Sequence, residues 1–251
     1  MTMDEHVKAE RDGAIICVTL ARPEKKNALT SAMYDRLIEE FARANRDETI
    51  GALVLRGAGG AFTAGNDLQD FLAAAGNPAA FSASRFLHAL ANFEKPLVAA
   101  IEGAAVGIGC TLCFHCDLVY AAPSARFQMP FVNLGLVAEA GSSLLAPQRF
   151  GRAKASEFLL LGEAFDAAEA WRLGLVNAVV EPETLYGHAV AKAKDLAAKP
   201  RSALLATRRL MRGDPNILNA RIEEELKLFA QALTSPEARN AFSAFLQKPK
   251  S

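Results

Sequence analysis

This sequence predicts an α/β fold, on three observations. Short apolar runs alternate with helical periodicity through the first two-thirds of the 251 residues. Glycine-rich stretches follow two of those runs, where a strand must turn into a helix. The last third carries helical patterns with one short strand among them. Half of the chain is hydrophobic, at 51%, so a sizeable core can form.

The elements follow in order. AIICVTLA (14–21) alternates two apolar faces and reads as a strand. A loop follows, then Thr30 caps a helix running to about Asn45. Its Tyr34, Leu37, Ile38 and Phe41 fall on one face at i, i+3, i+4 and i+7. ALVLR (52–56) is a buried strand, and GAGGAFTAGND (57–67) is the first glycine loop. Helical pattern resumes near Leu68 and again from Ala79 to Phe93. KPLVAAIEG (95–103) and DLVYAA (117–122) are further strands. From Glu139 onward the pattern is mostly helical: Ser156 to Leu161, Ala167 to Leu173 and Leu185 to Ala198, with a short strand at 177–180. Pro200 opens another helix, and Ser235–Pro236 starts the last, the hydroxyl capping and the proline fitting the first turn.

Composition excludes several function classes. Twenty-eight basic and 28 acidic residues balance, and no long basic run marks a nucleic-acid partner. Arg208, Arg209 and Arg212 read as a solvated helix face. The polar amino terminus is neither a signal nor a transit peptide. No apolar run of about 18 residues predicts a membrane span. These features point to the cytoplasm and to four free thiols rather than a disulfide framework.

CTLCFHCD (110–117) raises the question of a metal. A structural zinc site takes four ligands in a tetrahedron, usually from two knuckles. Here there is no second Cys-x-x-Cys and no histidine pair. One straight helix cannot wrap an ion with three residues, so Cys110, Cys113 and Cys116 read as a packed helix face, with no metal.

The two glycine loops carry more chemistry. The first lacks glycine at Phe62 for a dinucleotide fingerprint and lacks a Gly-Lys-Ser/Thr ending for a P-loop. The second, EGAAVGIGC (102–110), also follows a strand and opens a helix whose first N–H groups have no intrahelical partner. Either both are ordinary turns, or they aim backbone N–H groups at one oxygen as an oxyanion hole.

Four segments in register resemble the enoyl-CoA hydratase/isomerase (crotonase) superfamily. They are RPEKKNAL (22–29), AFTAGNDL (61–68), KPLVAAIEGAAVGIGC (95–110) and the stretch 150–180, FGRAKASEFLLLGEAFDAAEAWRLGLVNAVV. Together they span nearly the whole chain. The resemblance implies a spiral of strand–strand–helix units over 1–195 and a C-terminal helical trimerisation region over 196–251. It implies an acyl-CoA thioester as substrate, with coenzyme A part of that substrate, no separate cofactor, and a homotrimer or hexamer.

Carried over residue by residue, the oxyanion donors are the backbone N–H groups of Asn66 and Ile108, the latter standing where the family usually has glycine. Arg22, Lys25 and Lys26 would meet CoA phosphates, or else form a solvated turn. Ala64 and Asp67 would border the adenine, though Asp67 also suits a helix cap. Phe245 and Lys248 would reach a neighbouring subunit's nucleotide, or simply belong to an amphipathic terminal helix.

The reaction depends on the acid/base groups. The family's hydratases use two glutamates, and their positions here are Thr111 and Phe131. NLGLVAEAGSS (133–143) and VGIGCTLCFHCDLVYA (106–121) resemble the peroxisomal-type Δ3,Δ2-enoyl-CoA isomerase branch, in which one glutamate, here Glu139, is the base. Ala138 replaces a proline frequent in that branch. Ser142 and Ser143 lack a nucleophile elbow and read as packing residues. The resemblance therefore implies an isomerase; a hydratase or another crotonase reaction, and a catalytically silent acyl-CoA-binding protein, are the alternatives.

Overall fold

The computed structural model describes residues 5–70 and 82–247, with side chains through 244. The chain opens with β1 (Val7–Asp12), β2 (Ile15–Leu20), α1 (Ser31–Arg46), β3 (Ala52–Gly57) and α2 (Ser82–Ala91). Next come β4 (Leu97–Ile101), β5 (Ala104–Val106), α3 (Ile108–Thr111), β6 (Leu118–Ala121), β7 (Arg126–Gln128) and α4 (Ser142–Ser156). The remainder is β8 (Phe165–Asp166), α5 (Ala167–Arg172), β9 (Ala178–Val179), α6 (Pro182–Ala197), α7 (Arg201–Arg212), α8 (Pro215–Leu233) and α9 (Pro236–Gln247). The order strand–strand–helix recurs as β1–β2–α1, β4–β5–α3 and β6–β7–α4.

Two sheets result. One has the order β1-β2-β3-β4-β6-β9 and is parallel except for the β1–β2 hairpin. The other is β5-β7-β8. Both faces of the central strands are covered, which explains why β3 and β4 read as unbroken apolar runs. Along β2, Ile16, Val18 and Leu20 enter the larger core, while Ile15 and Cys17 face α6 with its Leu185, Ala189 and Ala193. Strand β1 is absent from the sequence reading. Only its Val7 is buried, so it presents no apolar face to detect. It exists because pairing with β2 satisfies its backbone.

Helix α1 forms as the spacing predicts. The Thr30 hydroxyl accepts from the Met33 N–H, and Tyr34, Leu37 and Phe41 enter the core. The Phe41 ring meets Phe93 at 4.7 Å between centroids, and burying such a ring contributes about 2 kcal/mol. A helix begins at Leu68, with residues 68–70 helical; the rest of that expected element lies outside the described residues. Helix α6 runs through residue 195 to Ala197.

Two local readings need correction. The cysteine stretch is α-helical only over Ile108–Thr111 and tightens into a 3-10 turn over Leu112–His115. All three thiols are buried, as are Leu112 and His115. The Cys113 and Cys116 thiols donate to the Gly109 and Leu112 carbonyls of their own helix. Of the three arginines read as a solvated face, Arg209 and Arg212 are exposed but Arg208 is not. Arg208 is 8% exposed, its Nε lies 2.8 Å from Asp117 Oδ2, and Arg208 and Arg212 both donate to the Phe93 carbonyl. They sit one turn apart on α7 and pin it to the β4–β6 end of the sheet. Among the described residues, no helix is long and apolar enough to cross a membrane.

Candidate active site

The two glycine junctions lie side by side. Thr63 bridges to Ala105 in parallel register: the Thr63 N–H donates to Ala104 and the Val106 N–H donates to Thr63. Glycine permits this closeness. Gly103 has φ of 57°, and a Cβ there would lie 2.1 Å from the Gly60 carbonyl oxygen. A Cβ at Gly109 would lie 2.6 Å from Thr63 Cγ2. The contacts bring Gly65, just before Asn66, against Val106, two residues before Ile108, the first residue of α3. Among the described residues, no acceptor takes the backbone N–H of Asn66 or Ile108. Such paired, unmet donors can stabilise an oxyanion.

The RPEKKNAL loop braces the first junction through Asn27, whose role sequence reasoning missed. Asn27 is fully buried with φ of 56°. Its amide donates to the Ala58 and Ala61 carbonyls, and its Oδ1 accepts from the Arg22 N–H. The Ala64 N–H donates to Lys26, and the Thr63 hydroxyl donates to Asn27. An asparagine that tolerates the left-handed region within a turn is the only local signal.

Glu139 reaches the same place from the turn before α4. It is 8% exposed, and its Oε1 accepts from the Thr111 hydroxyl at 2.6 Å. Thr111 lies three residues after Ile108, so one helical turn carries both an unmet N–H and the contact that holds the glutamate. Burial pushes the Glu139 carboxyl up to about 8; the Thr111 hydrogen bond opposes this, and the nearby Glu225 charge adds to it. Tyr34 closes the group. Its hydroxyl donates to Asn66 Oδ1 at 2.5 Å. Burial raises its pKa well above the usual value, with the charges of Glu139 and Asp70 adding to the effect.

The turn carrying Glu139 is held on two further sides. Ala140 has φ of 60° and Gly141 φ of 71°, a pair of left-handed residues. The His115 Nε2 lies 2.7 Å from the Ala140 carbonyl, as its donor. Burial lowers the His115 pKa to about 4, so the ring is neutral. The Glu225 carboxylate, from α8, accepts from the Gly141 N–H at 2.6 Å and the Ser143 N–H at 2.9 Å. Neither residue was singled out in the sequence for this role. For Glu225 a signal did exist: it falls between Ile222 and Phe229 on the apolar face of its helix.

The expected substrate-binding residues divide. Arg22 and Asp67 pair with each other at 2.7 Å, and Arg22 also donates to the Ala28 carbonyl. Burial works to raise the Asp67 carboxyl, but hydrogen bonds from Arg22, Asp70 and Gln69 hold it below its usual value. Asp67 thus caps the helix at 68–70 while neutralising Arg22. Lys25 and Lys26 are exposed on the same loop, and Ala64 is half-buried beside them. Phe131 is buried. Phe245 lies in α9, with its side chain outside the description, and Lys248 lies outside the described residues. Ser142 is buried at the start of α4. Among the described residues, no three His, Cys, Asp or Glu side chains could hold a metal ion.

Comparison with known proteins accords with this geometry. The profile of the family described as Enoyl-CoA hydratase/isomerase matches residues 10–251. The chain is 38% identical over 247 residues to enoyl-CoA delta isomerase 2 of Rattus norvegicus, covering 95% of this chain and 63% of that protein. It is 35% identical to the 1,2-epoxyphenylacetyl-CoA isomerase of Escherichia coli, covering 98% of this chain and 97% of the relative. It is 33% identical to the 2,3-dehydroadipyl-CoA hydratase of the same species, covering 95% and 94%. Among solved structures, OdaA of Pseudomonas aeruginosa superposes with a TM-score of 0.94 at 42% identity, covering 98% of this chain and all of that one.

Proposed function

Because this chain belongs to the enoyl-CoA hydratase/isomerase (crotonase) family, we propose that it is an acyl-CoA enzyme, a Δ3,Δ2-enoyl-CoA isomerase with Glu139 as its single base. The observation that carries this reading is the buried Glu139 carboxylate bonded to Thr111, one helical turn from the Ile108 N–H.

The chemistry follows from that arrangement. The thioester oxygen of a 3-enoyl-CoA accepts from the Asn66 and Ile108 N–H groups. Glu139 takes a proton from C2, and the negative charge spreads over a dienolate and gathers on that oxygen. The two donors favour the charged state over the bound ground state, so they lower the barrier itself. Glu139 then returns the proton to C4, giving the 2-enoyl thioester. A carboxyl with a pKa near neutrality suits both transfers. Hydration would need a second acid/base group, and the positions that carry it in hydratases hold Thr111 and Phe131.

Lys25 and Lys26, exposed on the RPEKKNAL loop, would meet CoA phosphates. Arg22 and Asp67 shape that loop through their ion pair, and Ala64 offers the small side chain beside the adenine. Phe245 and Lys248 would complete the nucleotide site from a neighbouring chain. Assembly as a homotrimer, or a hexamer of two trimers, belongs to the same proposal. It is supported by the exposed Leu210, Met211, Ile217 and Leu228 of α7 and α8, and a sedimentation mass of one chain would sink it.

The deciding experiment is turnover of a 3-enoyl-CoA to its 2-enoyl isomer by wild type and Glu139→Gln. Loss of turnover in a folded variant is the expected result. Turnover untouched by the substitution removes Glu139 from the mechanism. Intact thioester binding without turnover in the wild type means a silent binder or another crotonase reaction.

A further inference from the structure

The turn that carries Glu139 should not be stable by itself. It runs through two consecutive left-handed residues, one of them Ala140, where a side chain costs about 1 kcal/mol or more. It then opens α4, whose first N–H groups have no partner within the helix. The cap residue Gly141 has no side chain to supply one.

A carboxylate from a distant helix fills that gap. Glu225, 4% exposed, spans the Gly141 and Ser143 N–H groups with its two oxygens. Its own helix offers Arg221, which donates to the Ser143 hydroxyl and pairs with Glu224. A neutral glutamine could serve only one of those N–H groups as acceptor, because its second terminal atom is a donor. A serine or aspartate, the usual cap, cannot stand at position 141, where φ is 71° and a Cβ would lie 2.4 Å from Leu218 Cδ1. Here an anion has been brought close behind the catalytic carboxyl instead.

We propose that Glu225 is a positioning residue for the isomerase reaction, fixing the 139–143 turn and imposing a negative charge behind Glu139. This rests on Glu139 being the base. The charged or titratable groups facing Glu139 are Tyr34 from α1, Cys110 from α3 and Glu225 from α8; Arg221 and Glu139 face Glu225. Tyr34 and Cys110 are themselves raised by burial and stay neutral through the working range. Burial raises the Glu225 carboxyl too, but hydrogen bonds from Ser143 and Gly141 and the Arg221 charge favour its ionised form, so Glu225 is the group that places an anion behind Glu139. Its charge disfavours the ionised form of Glu139, which makes it a stronger proton acceptor once formed. The C-terminal helical region thereby acts on the reaction without touching substrate.

Two variants separate position from charge. Glu225→Gln removes the charge and one of the two accepted N–H bonds; Glu225→Asp keeps the charge and shortens the reach. The pH profile of kcat/KM on a 3-hexenoyl-CoA is measured for both, with Glu139→Gln in parallel. Infrared titration of the Glu139 carboxyl, taken as the difference from Glu139→Gln, reads the same pKa without substrate. The expected result for Glu225→Gln is a midpoint lowered by about half a unit or more. For Glu225→Asp it is a midpoint close to wild type, with kcat down about tenfold at unchanged KM. Profiles and infrared titrations superimposable on wild type, with only Tm lowered, overturn the proposal and leave Glu225 a helix cap. If Glu225→Gln does not fold, wild-type kcat in Glu225→Asp overturns it as well. Activity that survives Glu139→Gln refutes the base itself, while the infrared titration still reports whether Glu225 sets that carboxyl.

Discussion

The two halves of the site are held by different kinds of bond. The N–H half is a mesh of main-chain contacts: Leu29 to Gly65, Asp67 to Leu29, Ala64 to Lys26, Thr63 to Ala104 and Val106 to Thr63. The glutamate half depends on three side chains, Thr111, His115 and Glu225. Main-chain bonds survive most substitutions, because every residue except proline brings the same donor and acceptor. Side-chain bonds vanish with the residue. The first half should therefore tolerate change at the reacting positions, and the second should not.

The sharpest break is Glu139→Gln, expected to reduce kcat about a thousandfold. It also carries a stability signature. The Glu139 carboxyl sits at about 8 when folded, against 4.5 ordinarily. The folded state holds that proton more tightly, so the contribution is complete below 4.5 and is lost as pH rises through 8. Between those limits each pH unit weakens the wild type by up to about 1.4 kcal/mol. Glu139→Gln, which cannot ionise, should therefore gain Tm relative to wild type at pH 9 and not at pH 4. An equal Tm difference at both pH values would contradict the assigned burial.

Asn27→Ala tests a side chain that ties together the N–H half. It strands two buried carbonyls and one N–H, and puts alanine at a φ of 56°. The expected loss is about 3 kcal/mol, a fall in Tm on the order of 10 °C by thermal melt. Thr111→Val has a smaller effect of a different kind. Without the hydroxyl the Glu139 carboxyl rises further, so the midpoint of the kcat/KM profile moves up, and turnover near neutral pH drops about tenfold. Asn66→Ala should change least, with turnover within about threefold of wild type, because the catalytic donor there belongs to the main chain. A drop of a thousandfold would show that the Asn66 side chain, not its N–H, does the chemistry.

Legibility in the sequence followed the same division. The strands at 15–20 and 52–57 and helix α1 announced themselves by local periodicity. Both glycine junctions were visible because close backbone approach demands small residues at fixed places. Strand β1 was not, since it has one buried residue and owes its existence to a partner. Arg208 resembled a solvated cation until the fold brought Asp117, 91 residues away in sequence, against it. His115 read only as a residue off the cysteine face, and Glu225 sat within a run of three glutamates.

What the sequence determined by itself is the class of fold and the family. Each of these is written in local pattern, or in segments that keep their order along the chain. What only the tertiary structure decided is how Glu139 and its turn are held. Thr111, His115 and Glu225 act on residues 25 to 84 positions away. Hydrogen bonding and charge act through space, and only the packing of α3 and α8 around one turn places those groups within reach of Glu139.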